Sequence, residues 1–240
     1  MLMKKFYNKI YNLYPCLCTK DYKRDVIFLN KLFEKYNVTT VLDLGCGSGE
    51  HDRLLAAKGY YVDGLDISEN MIKIAIKKSK NIKNITYTIS DMRNFNLNKK
   101  YDAIICMLAN FQYLISKKDV NSFLDSIFKH LKKKGILILD VYNKEVYKDY
   151  SPKTFVERRV GNDILHKLSE RIFLKDDMVL IKRYYFLNYN LVSCGDFKVK
   201  FYNQNLLEKL IREKTDKKIK VFYDYSLRKK NGLTMQFLIY

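Results

Sequence analysis

The stretch from Val41 to Ser68, VLDLGCGSGEHDRLLAAKGYYVDGLDIS, decides the fold. It starts with a short apolar run, passes through three closely spaced glycines, continues with helical spacing and ends in a second apolar run. This order predicts a strand, a glycine turn, a helix and a second strand of a parallel sheet. A turn without side chains lets a ligand approach the backbone, and the helix that follows directs free amide groups at it. We therefore expect a ligand to bind at this turn.

The residues around the glycines argue against two nucleotide classes. A phosphate-binding P-loop ends in Gly-Lys-Ser or Gly-Lys-Thr, whereas Gly49 is followed by Glu50 and His51. A dinucleotide site needs its third glycine where Glu50 stands, and a glutamate would repel a pyrophosphate. Asp43, before the loop, suits a cationic group, and Asp66, after the second strand, suits the two hydroxyls of a ribose. The pattern favours a positively charged nucleoside without phosphate.

Strands and helices alternate as far as residue 142, and long alternating apolar and polar segments follow. The alternation predicts an α/β fold, Rossmann-like and doubly wound, with a mostly parallel seven-stranded sheet. The later segments predict an antiparallel β insertion between the fifth strand and the last helix. We expect an N-terminal helical lid over residues 1–36, a cofactor-binding core over 37–145 and 200–240, and an acceptor-binding insertion over 146–199.

The chain of 240 residues has 45 Lys and Arg against 26 Asp and Glu, a net charge of +19. Such a charge suits a polyanionic partner, but the lysines are scattered as pairs and triplets, such as Lys132 to Lys134 and Lys229-Lys230. We therefore rank nucleic acid below a small-molecule partner. Five cysteines without a CxxC pair, and only three histidines, predict no metal site and a reducing compartment. No signal peptide or membrane span is recognisable, so we expect a cytoplasmic monomer or homodimer.

The motif VLDLGCGSG and the acids that follow it resemble the class I S-adenosylmethionine-dependent methyltransferases over roughly residues 40–142. The resemblance implies S-adenosyl-L-methionine as the cofactor. It implies that the glycine loop holds the methionine part, that Asp66 binds the ribose and that Asp91 reaches the adenine amino group. The cofactor-binding residues that it implies are Tyr22, Asp43, Gly45, Gly47, Gly49, Asp66, Ile67, Met71, Asp91, Met92 and Met107.

Three stretches, YNLYPCLCTKDY, GSGEH and CMLANFQYL, together with the insertion, resemble small-molecule N-methyltransferases that include the dTDP-amino-sugar N,N-dimethyltransferases. This resemblance implies methyl transfer to a small-molecule amine, with the N-terminal helix closing over the cofactor through Tyr22. It makes Tyr11, Asn110 and Tyr113 the candidate catalytic residues on the acceptor side. Transfer from a sulfonium needs alignment more than acid-base chemistry, so we assign no general base. The insertion lacks the histidine-rich features of the sugar enzymes, which leaves the acceptor open.

Two other functions stay open. The charge favours an RNA or DNA methyltransferase, although NFQY at residues 110–113 lacks the prolines of the [DN]PP[FY] motif that base-methylating enzymes often carry. Pro15-Cys16 stands in the wrong region for a cytosine-C5 enzyme, but guanine and ribose methylation need neither motif. The third function is a non-catalytic module that binds S-adenosylmethionine.

Overall fold

The computed structural model describes residues 2–18, 20–147, 151–227 and 231–240. Thr19 of the N-terminal motif and the pair Lys229-Lys230 lie outside these ranges. The helices are α1 (Leu2–Ile10), α2 (Tyr14–Leu17), α3 (Tyr22–Lys35), α4 (Glu50–Ala56), α5 (Glu69–Lys78), α6 (Lys117–His130), α7 (Lys144–Tyr147) and α8 (Gln204–Arg212), with a 3-10 turn at Asn110–Tyr113. The strands are β1 (Thr40–Leu44), β2 (Tyr61–Asp66), β3 (Ile85–Ile89), β4 (Tyr101–Cys106), β5 (Leu131–Tyr142), β6 (Lys153–Val160), β7 (Asp163–Phe173), β8 (Met178–Leu187), β9 (Asn190–Lys200), β10 (Ile219–Tyr223) and β11 (Thr234–Ile239).

The described residues form a seven-stranded sheet in the order β10-β11-β5-β4-β1-β2-β3. The pairs from β5 to β3 are parallel, and β11 runs antiparallel to both β5 and β10. The central strands are apolar on both faces, as Ile104 and Ile105 show by being fully buried. The mostly parallel α/β sheet predicted from the sequence is confirmed.

The antiparallel insertion is also confirmed. Strands β6 to β9 form a separate four-stranded sheet that follows β5 and α7 and precedes α8. The turn between β7 and β8 places Asp176 and Asp177 at φ 57° and 61°, a left-handed conformation that aspartate tolerates better than most residues. The inner face of this sheet packs Leu165, Tyr185 and Phe197 against α1 and α2.

The N-terminal segment divides into two parts, unlike the single lid predicted over residues 1–36. Helix α3 buries Val26, Leu29 and Phe33 against Val41 and Ile105 of the parallel sheet, so it belongs to the core. Helix α1 instead contacts the insertion, where the Phe6 and Phe197 rings lie edge to face with centroids 4.6 Å apart. Of the N-terminal helices, only α1 and α2 therefore pack against the insertion, while α3 packs against the parallel sheet.

Two local features, the start of β5 and the loop after β4, have physical reasons that the sequence pattern does not show. Strand β5 begins at Leu131, because Leu131 pairs with Tyr101 directly where α6 ends, while Lys132 to Lys134 remain exposed. The loop after β4 closes into the 3-10 turn at Asn110–Tyr113, which the sequence did not signal. No helix in the described part of the chain is long and apolar enough to cross a membrane.

Asp102 ties the start of β1 to β4. Its Oδ2 accepts hydrogen bonds from the amide and hydroxyl groups of Thr39 and Thr40 at 2.8–3.2 Å, and Lys132 Nζ lies 2.8 Å from Oδ1. Partial burial would raise the pKa of Asp102, but Lys132 and Thr40 outweigh it and lower the pKa to about 2. Because the folded pKa lies below the unfolded one, this stabilisation is complete above roughly pH 4 and is lost as the pH falls toward about 2.

We expect Asp102→Ala to lower the free energy of unfolding at pH 7 by about 1–2 kcal/mol, measured by urea denaturation. The difference between wild type and Asp102→Ala should shrink as the pH falls from 4 to 2. Asp125→Ala is the matched control, since Asp125 is 62% exposed and pairs only with Lys214 among the described side chains. It should change stability by less than about 0.5 kcal/mol. Equal effects of the two substitutions would contradict this role of Asp102.

Candidate active site

The glycine loop after β1 is bonded to the end of β2. Gly45 and Cys46 both donate their amide groups to Leu65 O, at 2.7 and 3.0 Å. The amide of Gly47 donates to Asp66 Oδ2 at 2.9 Å. The loop therefore has a fixed position at the carboxyl ends of two parallel strands, where ligands of open α/β sheets bind.

Gly45 cannot be replaced by a larger residue without moving its neighbour. It has φ 80°, and a Cβ there would stand 2.4 Å from Asn110 Nδ2. Asn110 in turn donates from Nδ2 to Gly45 O at 2.8 Å. The 3-10 turn after β4 is thus attached to the loop, and the loop surface next to it consists of backbone.

Two cavities meet at this loop and share Tyr7, Gly45, Asp66 and Asn110 as lining residues. The smaller has a volume of about 70 Å³ and the larger of about 550 Å³. The predicted cofactor residues that line the smaller cavity are Tyr22, Asp43, Gly45, Gly47, Asp66, Met71 and Met107. Those that line the larger cavity are Gly45, Asp66, Ile67, Asp91 and Met92, together with the predicted catalytic residues Asn110 and Tyr113.

Asp43 lies at the bottom of the smaller cavity and is paired with a second buried acid. Asp43 and Asp52 are 2% and 0% exposed. Burial and then the charge of Asp52 raise the pKa of Asp43, and burial raises the pKa of Asp52 to about 7. Two buried carboxyl groups so close together resist being ionised at the same time. Among the described residues Asp43 Oδ1 has no hydrogen-bond partner, so an ammonium group in the cavity would satisfy it.

Asp66 has a second partner besides the loop. Its Oδ1 accepts the amide of Ser68 at 2.7 Å, so each carboxylate oxygen holds one backbone amide and keeps a free lone pair. Burial raises the pKa of Asp66, and the amides of Ser68 and Gly47 oppose that shift. Lining both cavities, Asp66 can accept further hydrogen bonds from a ligand hydroxyl.

The carboxylate of Asp91 is already paired with an arginine, which the sequence did not suggest. Both of its oxygens accept hydrogen bonds from Arg93, the shortest at 2.6 Å, and Arg93 also pairs with Asp119 at 3.0 Å. Burial would raise the pKa of Asp91, but Arg93 outweighs it and lowers the pKa. Asp91 therefore lines the larger cavity as an ionised group whose orientation Arg93 fixes.

Tyr22 covers the smaller cavity from the start of α3. Its ring lies edge to face with the His51 ring at 4.9 Å, and its hydroxyl is 3.2 Å from Cys18 Sγ. His51 Nε2 stands 3.2 Å from Oδ2 of the fully buried Asp25. His51 was predicted to cap or contact the helix, but it also lines the cavity.

Two predicted residues stand apart from the cavities. Tyr11 follows the end of α1 and is not among the residues that line either cavity, whereas Tyr7 lines both. Gly49 begins α4 at φ 73°, and a Cβ there would meet Tyr87 Oη at 2.3 Å, so its constraint is packing beneath the loop.

Beside the larger cavity, three polar side chains form a chain of contacts. Arg183 Nη1 donates to the hydroxyl of Tyr7 at 3.0 Å, and the hydroxyls of Tyr7 and Tyr113 are also 3.0 Å apart. Sequence reasoning missed Tyr7, Tyr14, His51, Asp52 and Arg183. Only His51 had a local signal, since it directly follows the glycine motif.

The histidines and cysteines do not converge. His130 accepts the Leu97 amide at its Nε2, and His166 pairs with Glu157 in the insertion at 2.9 Å. Across the described ranges, no group of three or more His, Cys, Asp or Glu side chains could hold a metal ion.

Comparison with known proteins finds a matching domain and several similar chains. Residues 41–135 match the family described as "Methyltransferase domain". A Bacillus subtilis (strain 168) protein named as a methyltransferase, YqeM, is 34% identical over 120 residues, 49% of each chain. The malonyl-[acyl-carrier protein] O-methyltransferase of Bacillus cereus is 29% identical over 189 residues, 75% of this chain and 67% of that protein.

An enzyme that acts on an amino sugar is also similar in sequence to this chain. The dTDP-3-amino-3,6-dideoxy-alpha-D-glucopyranose N,N-dimethyltransferase of Streptomyces fradiae is 28% identical over 123 residues, 50% of this chain and 47% of that protein. The chain thus spans about half to two thirds of the length of these relatives.

The fold is shared over nearly the whole chain. The crystal structure of an S-adenosylmethionine-dependent methyltransferase from Clostridium acetobutylicum ATCC 824 superposes with a TM-score of 0.82 at 23% identity, covering 97% of this chain and 98% of that one. Residues 41–135 thus match a methyltransferase domain, and the chain shares its fold with this S-adenosylmethionine-dependent methyltransferase over nearly its whole length.

Proposed function

We propose that the chain transfers a methyl group from S-adenosylmethionine to an amine nitrogen of a small molecule. The observation that carries this proposal is the junction of the two cavities at Gly45, Asp66 and Asn110. One cavity offers carboxylates and bare backbone, as a cationic nucleoside requires. The other is enclosed by the insertion and α1, as a small acceptor requires.

The residues present fit the cofactor. The unpartnered Asp43 Oδ1 suits its ammonium group, the open backbone at Gly45 and Gly47 suits its methionine part, and Asp66 suits its ribose. When bound, S-adenosylmethionine supplies an electrophilic methyl group on a positively charged sulfur. Met71 and Met107, both buried, add apolar surface to the same wall.

The remaining residues align the acceptor and exclude water. Burial raises the pKa of Tyr7 well above its usual value, so its hydroxyl stays protonated and orients a ligand by hydrogen bonding. Tyr7 and Tyr113 stand at the entrance to the larger cavity, whose volume of about 550 Å³ suits a metabolite-sized molecule. Holding the reactants in line in a dry site accounts for much of the rate of such a displacement.

The names of the relatives support an amine nitrogen as the methyl acceptor but also allow an oxygen atom. The Streptomyces fradiae relative is named as an N,N-dimethyltransferase of an amino sugar, and the Bacillus cereus relative as an O-methyltransferase. An amine needs only to lose a proton to solvent or to a nearby group, which a cavity lined by Asp66 and Asp91 allows. RNA is the second candidate acceptor, favoured by the net charge of +19.

Asp43 and Asp66 should be separable by two ligands. S-adenosylhomocysteine has both the ammonium group and the ribose, whereas 5′-methylthioadenosine has only the ribose. We expect Asp43→Asn to weaken the binding of S-adenosylhomocysteine by about tenfold or more and to leave the binding of 5′-methylthioadenosine unchanged. Asp66→Asn should weaken the binding of both ligands. Calorimetry measures all four affinities.

Asp125→Asn is the control, since Asp125 is 62% exposed and does not line the cavities. It should change neither affinity. Unchanged binding of both ligands to Asp66→Asn, or equal losses of affinity for both ligands in Asp43→Asn, would contradict the assignment of these two carboxylates.

The reaction itself is tested by a transfer screen with methyl-labelled S-adenosylmethionine. We expect label in amines or amino sugars and none in total RNA. Label in RNA, with retention on RNA that falls steeply as salt rises, would establish the second candidate instead. Cofactor binding without label in any acceptor class would favour a non-catalytic module.

A further inference from the structure

Besides the exposed Arg158 on β6, the inner face of the insertion carries three cations. Arg183 on β8 pairs in register with Ser169 on β7 and Gly195 on β9. Opposite residues of an antiparallel pair point to the same face, and residues two apart along a strand share a face. Lys167 and Arg171 therefore stand on the same face as Arg183, toward α1 and α2.

None of these three cations has a carboxylate within 4.0 Å among the described residues. Their hydrogen bonds go instead to neutral oxygens. Lys167 Nζ donates to Leu17 O at 3.1 Å, Arg171 Nη1 to Ser151 O at 2.8 Å and Arg183 Nη1 to the hydroxyl of Tyr7 at 3.0 Å. Burial and the charge of Arg183 lower the pKa of Lys167, which indicates that the positive charges repel one another. All three are partly buried, and positive charges grouped there without an anion are unfavourable, which an anionic ligand would relieve.

A second observation points to the same missing partner. Tyr185 follows Arg183 by two residues on β8 and so shares its face. Tyr185 is 0% exposed, and its hydroxyl has no hydrogen-bond partner among the described residues. Buried hydroxyls are normally bonded, so this one lacks an oxygen or nitrogen atom beside Arg183.

The site is connected to the larger cavity through hydroxyl groups. Arg183 reaches Tyr7, and Tyr7 reaches Tyr113, and both tyrosines line that cavity. The guanidinium has five N–H donors, and the described residues take up only the one that Tyr7 accepts. Arginine binds planar oxyanions with two parallel hydrogen bonds when its donors are free.

We propose that the acceptor carries an oxyanion, a carboxylate or a phosphate, which Arg183 binds with Lys167, Arg171 and the hydroxyl of Tyr185 around it. This rests on the proposed function, because it assigns a substrate class to the same site. The reacting amine would then lie toward the cavity junction and the anion toward the insertion.

Binding of the anion is measured separately from transfer. Protein saturated with S-adenosylhomocysteine is titrated with sodium acetate and, in a second series, with sodium phosphate, against sodium chloride of equal ionic strength. We expect one of the two anions to bind and Arg183→Gln to weaken it by about tenfold or more. The stronger ligand identifies carboxylate or phosphate. Arg159→Gln, an exposed arginine of the same sheet, should bind as wild type does.

Transfer is measured with matched amines that differ only in the anion. The pairs are β-alanine with its amide, and phosphoethanolamine with ethanolamine. One anionic amine should be the better substrate, and Arg183→Gln should raise its KM by about tenfold or more with a smaller change in kcat. Arg183→Lys keeps the charge without the planar guanidinium group, so its KM should lie between those of wild type and Arg183→Gln. This variant preserves the test if Arg183→Gln does not fold.

The outcomes separate the two proposals. No anion binding to wild type, or equal binding to Arg183→Gln, overturns the anion site even if neutral amines are methylated. Anion binding that depends on Arg183, without transfer to any amine, supports the anion site while the proposed reaction fails.

Discussion

The site depends on the hydrogen bonds that join the loop after β1 to the end of β2. Leu65 O accepts two loop amides, and Asp66 accepts a third. Because β1 and β2 are parallel neighbours, both end at the same edge of the sheet, and these bonds fix the loop and Asp66 as one unit. Asn110 then attaches the end of β4 to the same loop. A change in strand register would therefore move every carboxylate of the site at once.

The acceptor side depends on a different kind of contact. Helix α1 and the insertion meet through aromatic rings, Phe6 against Phe197 and Tyr185, and the hydroxyls of Tyr7 and Tyr113 lie beside this cluster. Aromatic packing is less directional than a hydrogen-bonded loop, and it leaves the pocket shape to the size of the side chains. Under the proposed function, a change in the sequence of the insertion would therefore change which acceptor fits, while the α/β core stays the same.

The sequence predicted the parts of the molecule that local patterns determine. The second apolar run, which ends in an acid, is observed as strand β2, and the glycine loop directly follows β1. Which tyrosine lines the cavities was harder to predict. Helix α1 ends at Ile10, which leaves Tyr11 beyond the helix, whereas Tyr7 faces the cavities. Asp52 and Arg183 carry no local signal, because what makes them unusual is burial beside residues distant in sequence. Asp91 lines the larger cavity, and its pairing with Arg93 depends on side-chain geometry that the sequence does not signal.

The net charge of +19 says less about the ligand than the places where charges gather. Asp43, Asp52 and Asp66 surround the glycine loop, so the local field there is negative although the chain is strongly basic. Among the described residues, Lys167, Arg171 and Arg183 have no carboxylate partner and lie on the inner face of the insertion, where Arg183 donates to the hydroxyl of Tyr7. Tyr7 also lines both cavities, so it connects these cations to the site that the acids line. Under the proposed function, the two ends of one reaction therefore meet opposite charges.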